Sequence, residues 1–360
     1  MVTAILIFTL IVVVATLLPL WRNPHWFVRG MDFPRLQLAA IACLLFILQL
    51  IFFDLSDPLY LTSAALTIGC LGWQLKWILP YSPLFPVEVK SAQTNAANVT
   101  LKILTSNVLT PNKNADALLE LVTEYEPDIL VTLESDKWWQ DKLDAVETEM
   151  PHTIKCPLDN LYGMHVYSRL PLEEVETSYL VEDDIPSMHA LLVMDNGARV
   201  RVHFLHPAPP SPTENPESAE RDAELIVVAK SVVKDDSPII VTGDLNDVAW
   251  SATTQMFRKI SGLLDPRIGR GMFNTFHADY PFLRWPLDHL FHSSHFTIKQ
   301  IKRLPSIGSD HFPLFSELVF TPEMKKQQSG EAPSQEERKE AEEVTDEKEV
   351  KVKDVPTPGK

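Results

Sequence analysis

Three almost uninterrupted apolar runs open the chain: TAILIFTLIVVVATLLPL (3–20), LQLAAIACLLFILQLIFF (36–53) and PLYLTSAALTIGCLGWQLKWILP (58–80), the last marred only by Lys76 near its end. Each approaches the ~20 residues that a helix needs to cross a bilayer. Trp21, Trp26, Trp73 and Trp77 stand near the ends of the runs, where interfacial aromatics are expected. The first run has neither a basic leading segment nor a small-x-small cleavage site, which predicts a retained anchor rather than a signal peptide. Residues 1–80 are therefore expected to form a membrane anchor of three transmembrane helices. The proline-punctuated and then small-polar stretch PYSPLFPVEVKSAQTNAAN (80–98) predicts a linker over 81–98.

From residue 99 the period changes. VTLKILTSN (99–107) and PDILVTLES (127–135) read as buried strands that end on polar residues, and NADALLELVTEYE (114–126) carries the apolar stripe of a helix. GMHVYSR (163–169), HALLVMD (189–195) and ARVRVHFLH (198–206) predict strands, the last stopping at a proline-rich loop. SAERDAELIVVAKSVVK (218–234) predicts an amphipathic helix. SPIIVTGDLND (237–247), PLDHLFHS (286–293) and SDHFPLFSELVF (309–320) supply the remaining strands. The pattern is β-rich with intervening helices, and at about 220 residues this part is large enough for one substantial core. Residues 321–360 have few apolar positions and no aromatic. This tail is expected to be disordered, with at most a short charged helix around Gln335–Val344.

Charge narrows the partners. Of a formal net charge of −16, residues 1–90 carry five basic and four acidic groups and residues 321–360 eight basic and eleven acidic, which leaves −14 on residues 91–320. A domain that acidic repels a polyanion at long range, so tight nucleic-acid binding is disfavoured. Cys43, Cys70 and Cys156 have no zinc-like spacing and read as inert thiols.

The polar residues of interest recur where strands end: Asn107, Glu134, His206, Asp244, Asn246, Asp288, Asp310 and His311. Strand ends can aim such side chains into one crevice from a rigid scaffold. Oxygen ligands suit Mg²⁺ or Mn²⁺, and histidine suits proton transfer. The set fits metal-assisted attack of water on phosphorus. It does not fit acyl transfer, since no serine or cysteine stands in a nucleophile-elbow sequence. His203, inside its predicted strand, reads as a sheet histidine. Arg221 reads as a surface ion pair before a phosphate contact, and Trp138–Trp139 as core or rim.

Seven blocks in order resemble the endonuclease/exonuclease/phosphatase superfamily, which includes deoxyribonuclease I-like nucleases, neutral sphingomyelinases and inositol polyphosphate phosphatases. They are LTSNV with Asn107, ILVTLES with Glu134, GMHVYSR, VHFLH with His206, GDLND with Asp244 and Asn246, PLDHLF with Asp288, and GSDHFPL with Asp310 and His311. The resemblance implies a four-layered α/β sandwich over 99–320, two packed mixed β-sheets flanked by helices, following the three transmembrane helices. It implies Glu134 as the main metal ligand, with Asn107 and Asp310 beside it. His311 would be the general base or the charge opposite the phosphate, oriented by Asp288. Asp244 would orient or deprotonate the water, Asn246 would contact a phosphate oxygen, and His206 would stabilise charge on the intermediate. The proline-rich loop after His206 is short, and no basic, aromatic-interleaved insertion is present to grip a DNA groove.

The expected function is a membrane-anchored, Mg²⁺- or Mn²⁺-dependent phosphoesterase acting on a small or lipid-linked phosphate ester. A nuclease and a non-catalytic membrane-bound interaction module are the alternatives. Arg22, Arg29 and Arg35 lie between the first two runs, whereas the next loop holds only Asp54 and Asp57. The positive-inside rule then places the catalytic domain on the cytoplasmic face, of a bacterial inner membrane if the bacterial-type resemblance holds.

Overall fold

The computed structural model describes residues 1–93, 99–233 and 236–360, so residues 94–98 of the expected linker lie outside the described residues. The N-terminal part contains α1 (Val2–Leu17), α2 (Trp26–Arg29), α3 (Arg35–Phe52) and α4 (Pro58–Ile78). Among the described residues, two helical stretches, Val2–Leu20 and Arg35–Phe52, are long and apolar enough to cross a membrane. The third expected span does fold as a 21-residue helix, capped by the Asp57 side chain on Leu59 N. Its apolar run, however, is diluted by Thr62, Ser63, Thr67, Gln74 and Lys76.

Of these, Ser63, Thr67 and Gln74 face inward, whereas Thr62 and Lys76 are exposed. Gln49 Nε2 donates to Thr9 Oγ1 at 2.9 Å and to Thr67 Oγ1 at 2.9 Å, and Gln74 Nε2 donates to Thr16 Oγ1 at 3.0 Å. Ile7, Phe8, Leu10, Ile11, Leu44, Ile47, Leu61 and Ile68 are exposed. A bundle with hydrogen-bonded polar side chains inside and large apolar ones outside inverts the pattern of a soluble domain.

The remainder runs β1 (Thr100–Asn107), α5 (Ala115–Tyr125), β2 (Ile129–Leu133), α6 (Lys137–Leu143), β3 (His152–Cys156), β4 (Met164–Ser168), β5 (Leu172–Ser178), β6 (Ser187–Val193) and β7 (Arg199–Leu205). It continues with α7 (Ala219–Val232), β8 (Ile239–Asp244), α8 (Ala252–Ser261), β9 (Asp288–His292), β10 (Phe296–Arg303), β11 (Leu314–Phe320) and α9 (Gln335–Glu347). The strands form two mixed sheets, β10-β11-β1-β2-β4-β3 and β5-β6-β7-β8-β9. Each has one parallel pair, β1 with β2 and β7 with β8. Leu101, Ile103 and Val131 of one sheet share a buried cluster with Val202, Phe204 and Ile240 of the other. Burying each such side chain contributes roughly 1.5–3 kcal/mol. Helices α5 and α6 cover one outer face, and α7 and α8 the other.

Strands β3, β5 and β10 and helix α6 have no strong signal in the sequence, whereas α8, not among the expected elements, is marked by the Ser251 cap, the apolar face of Met256, Phe257 and Ile260, and Gly262 at its end. Strand β5, LEEVETS, carries three glutamates at a sheet edge and does not look like a strand; edge charge is a device against edge-to-edge pairing.

The expectation of a disordered tail is corrected. Helix α9 begins with a capping box in which Ser334 and Glu337 satisfy each other's backbone, and it docks on α7 through buried Ala341 and Thr345. Lys230 Nζ donates to Thr345 Oγ1 at 2.8 Å, and Val350 and Val355 join the α7 core. A tail with so few apolar residues is held because Ala341, Val344, Val350 and Val355 land on one prepared face.

Helix α7 also buries Glu224, 3 % exposed, with one carboxyl oxygen unpartnered. Burial, aided by the charge of Glu182, pushes its carboxyl up to about 8. The folded state therefore keeps a proton that the unfolded state releases near pH 4.5. The contribution of Glu224 to stability is greatest below that pH and falls by about 1.4 kcal/mol per unit until pH passes about 8. Glu224→Gln should flatten this loss, so that melting temperatures of variant and parent diverge between pH 5 and 9. Parallel curves would overturn the assignment.

Candidate active site

The parallel pairs place the C-terminal ends of β1, β2, β7 and β8 along one edge of the sandwich. Asn107 ends β1, Glu134 follows β2, His206 follows β7 and Asp244 ends β8. Asp288 opens β9 directly opposite Asp244 in the ladder. The 308–313 turn enters β11, which pairs with β1, and so brings Asp310 and His311 to the same edge. The eight residues singled out in the sequence therefore gather in one place.

Close backbone approaches build this edge. A side chain on Gly163 would meet the Ser135 carbonyl, and one on Gly243, at φ +150°, would meet the Leu205 carbonyl. Glycine there lets the loops bearing Glu134 and Asp244 press against neighbouring strands. Glu134 and Asn246 themselves have φ of +56° and +50°, a left-handed conformation uncommon for non-glycine residues and concentrated at functional sites.

His311 is 4 % exposed and lies between two buried carboxylates. Its Nδ1 donates to Asp288 Oδ2 at 2.8 Å, and its Nε2 is 3.4 Å from Asp244 Oδ2. Burial alone would lower the imidazole. The charges of Asp288 and Asp244 outweigh it and hold His311 up to about 10. Two like charges opposite each other in a ladder are unfavourable, and an imidazolium between them removes the conflict. Burial in turn raises Asp244 above the usual carboxylate range, although His311 opposes this. Asp244 Oδ1 accepts from Asn246 N at 2.9 Å. Buried His206 has an unpartnered Nδ1, and burial lowers it to about 4, leaving it neutral.

Glu134 has one carboxylate oxygen, Oε1, bonded to Asn107 Nδ2 at 2.8 Å; the other, Oε2, is buried without a partner. Burial pushes this carboxyl up to about 7. An orphaned, buried carboxylate oxygen beside a second carboxylate, Asp310, suits a divalent cation, which would supply the missing partner. Asn107, expected as a ligand, presents its amide nitrogen to both Glu134 and Asp244, while its oxygen accepts from Leu109 N at 3.1 Å. In this arrangement it links the two acids. Asp244, Asp288 and His311 also place one donor atom each within 4.8 Å of one another, a grouping able to hold a cation. Since His311 already engages both of those acids, the Glu134 side of the pocket is the better fit.

Several supporting residues were not legible beforehand. Arg221, expected as a surface ion pair, is buried. It pairs with Asp222 at 2.8 Å and donates to Asn246 O at 2.8 Å, which fixes the Asp244–Asn246 turn. Ser309 Oγ ties the Asp310–His311 turn to Asn107 O at 2.8 Å, and Thr110 Oγ1 holds Glu134 O at 2.7 Å. Asn246 is further fixed by its side-chain bond to Pro207 O at 3.0 Å. His203 pairs with His189 through their Nδ1 atoms at 2.7 Å, away from the strand ends. Trp139 is wholly buried, as core.

Two packed mixed sheets with carboxylates, carboxamides and imidazoles gathered at strand ends define the α/β-sandwich class of phosphate-ester hydrolases. The chain belongs to the Endonuclease/Exonuclease/phosphatase family, whose model matches residues 104–311, more than half of its length. Members of this family hydrolyse phosphodiester or phosphate ester bonds, typically with a divalent metal. Among curated proteins, none matches the chain. Similar solved structures include D. rerio TDP2 complexed with single strand DNA product, at 16 % identity and a TM-score of 0.50, covering 61 % of this chain and 98 % of that one. The human Nocturnin catalytic domain with bound sulfate anion has 16 % identity and a TM-score of 0.50, covering 62 % and 95 %. An endonuclease/exonuclease/phosphatase from Beutenbergia cavernae has 14 % identity and a TM-score of 0.50, covering 62 % and 72 %. At these identities the likeness concerns the fold.

Proposed function

We propose that this protein is a membrane-anchored, divalent-metal-dependent phosphoesterase acting on a phosphate ester presented at the bilayer surface, lipid-linked in preference to nucleic acid. Residues 1–80 are the anchor, with α4 as a third span beside α1 and α3, and residues 99–320 the catalytic domain. One observation carries the reading. The loop that backs His311 sits on the first turn of α3 and exposes apolar side chains there.

Phe276 lies 4.9 Å from the His311 ring, and Ala278 N donates to Asp310 O at 2.7 Å. From that base the chain extends to Tyr280, Phe282 and Leu283, all exposed, Phe282 at 88 %. Gln37 Nε2 of α3 donates to Phe282 O at 2.8 Å, and Trp285 packs on Phe33 at 5.6 Å. Trp250, four residues beyond Asn246, donates to Asp32 O at 2.8 Å. A catalytic edge tied to the anchor on two sides, with exposed aromatics beside it, suits a substrate that reaches it from the lipid.

Glu134 and Asp310 would hold Mg²⁺ or Mn²⁺, with Asn107 able to join by turning its amide. A cation bound there supplies Lewis-acid polarisation of a phosphoryl oxygen. Asp244 accepts the proton of the attacking water, aligned by the Asn246 turn. His311, held charged by Asp288, faces the phosphate and stabilises developing negative charge. Neutral His206 donates a hydrogen bond to the same group, and Asn246 contacts a phosphate oxygen. Such a complete set argues against a purely non-catalytic module.

The test is a panel of phosphomonoesters, phosphodiesters, lipid phosphates and single-stranded DNA, with the full chain in vesicles and with and without Mg²⁺. Metal-dependent hydrolysis of a lipid phosphate is expected. Phe282→Asp should reduce it on vesicles about tenfold and leave a water-soluble ester less affected, since it removes apolar contact with the interface. Faster hydrolysis of DNA than of every lipid phosphate would favour the nuclease reading, which the −14 charge of residues 91–320 disfavours. The positive-inside bias of Arg22, Arg29 and Arg35 supports a catalytic domain on the cytoplasmic face. Protease digestion of the tail in intact cells would oppose that.

A further inference from the structure

Arg284 and Arg303, which no catalytic role has absorbed, stand on the ring of Phe312, the residue after His311. The Arg284 guanidinium carbon is 4.9 Å and that of Arg303 4.4 Å from the ring centroid. Both are half-buried. Among the described residues, the side chain of each hydrogen-bonds only to backbone carbonyls of the loop that backs the active site. Arg284 Nη2 donates to Ala278 O at 2.8 Å and its Nε to His277 O at 3.3 Å, and Arg303 Nη1 donates to Asn274 O at 2.9 Å. Among the described residues, neither has a carboxylate partner.

Arg270 is held in a similar way, by Pro266 O and Val89 O, but most arginines of the molecule are not. Arg221, Arg258 and Arg267 each pair with a carboxylate, in a domain with a large acidic excess. Two guanidiniums held near one another repel, and the proximity of Arg284, added to burial, lowers Arg303. An unneutralised pair kept in place by backbone bonds is built for an anion that arrives from outside, and planar guanidiniums match phosphate. The pair also has a fixed relation to the reaction centre. Ala278 offers its carbonyl to Arg284 and its N–H to Asp310 O, so Arg284 and the Asp310–His311 turn are fastened to one residue.

We propose that Arg284 and Arg303 form a second anion subsite, which binds a further phosphate group of the substrate while the Glu134–His311 centre engages the scissile one. This rests on the phosphoesterase reading and narrows it: the substrate carries two phosphates a few bonds apart. The guanidiniums act as specificity determinants and take no part in bond cleavage.

Calorimetric titration of the full chain in neutral detergent with Mg²⁺, using butyl phosphate and butane-1,4-diyl bisphosphate as probes, tests this. The bisphosphate should bind about tenfold more tightly, the worth of a charge-assisted hydrogen bond pair near a surface. Arg284→Gln with Arg303→Gln should abolish that ratio, and Arg303→Lys alone should retain part of it. Equal affinity of the parent for both probes overturns the subsite. So does a ratio that survives in the double variant, or one erased by phosphatidylglycerol in the micelles, which would assign the pair to a lipid headgroup. If the double variant does not fold, the ratio in Arg284→Gln alone decides. Because binding is read without turnover, an intact ratio in a protein that hydrolyses nothing in the panel supports the subsite and removes the hydrolytic reading instead.

Discussion

His311→Ala is expected to lower turnover on the best substrate of the panel by about 10²–10⁴-fold with the fold retained. The size follows from position. Among the described residues, His311 is the one cationic group lying between Asp244 and Asp288, and both of its ring nitrogens are directed at them. Removing the ring takes away the charge opposite the phosphate and leaves two facing carboxylates, of which one must take up a proton. Asp244 would then hold a proton where it should accept one. His311→Gln keeps the volume without the charge and should be nearly as inactive. Melting curves beside the kinetics separate lost chemistry from lost structure. A folded variant with near-parent turnover would remove His311 from the mechanism.

Glu134→Gln is expected to weaken Mg²⁺ or Mn²⁺ binding at least tenfold, since even the outer partners of metal ligands are worth about 10–100-fold. The readout is the metal titration itself. The same change should raise the metal-free melting temperature, because burial of this carboxyl is unfavourable and its Oε2 has no partner. Gain of stability with loss of metal is the mark of a residue kept for function. An unchanged metal titration would place the cation among Asp244, Asp288 and His311 instead, the other grouping able to hold one. A glutamine that also lowers the metal-free melting temperature would mean that Glu134 is structural.

The sequence by itself determined much of the site. Asn107, Glu134, His206, Asp244, Asp288, Asp310 and His311 were legible because each follows or begins an apolar run whose period announces a strand, and strand ends share an edge. It also determined the apolar start of the chain, because length and absence of charge are linear properties. The tertiary structure decided what depends on partners far along the chain. The Arg221 guanidinium is buried because Asp222 and Asp247 enclose it, and Asp247 belongs to a different strand-end loop. Asn107 presents nitrogen rather than oxygen because Glu134 and Asp244, 27 and 137 positions away, both accept from it. The tail is ordered because α7 offers a face to its few apolar residues, which composition does not record. The pairing of Arg284 with Arg303 across Phe312 arises only when β10 and the loop before β9 fold against the same turn. Local periodicity fixes which residues end strands. Which charges meet, and which are left without a partner, is fixed by packing between segments that the sequence keeps apart.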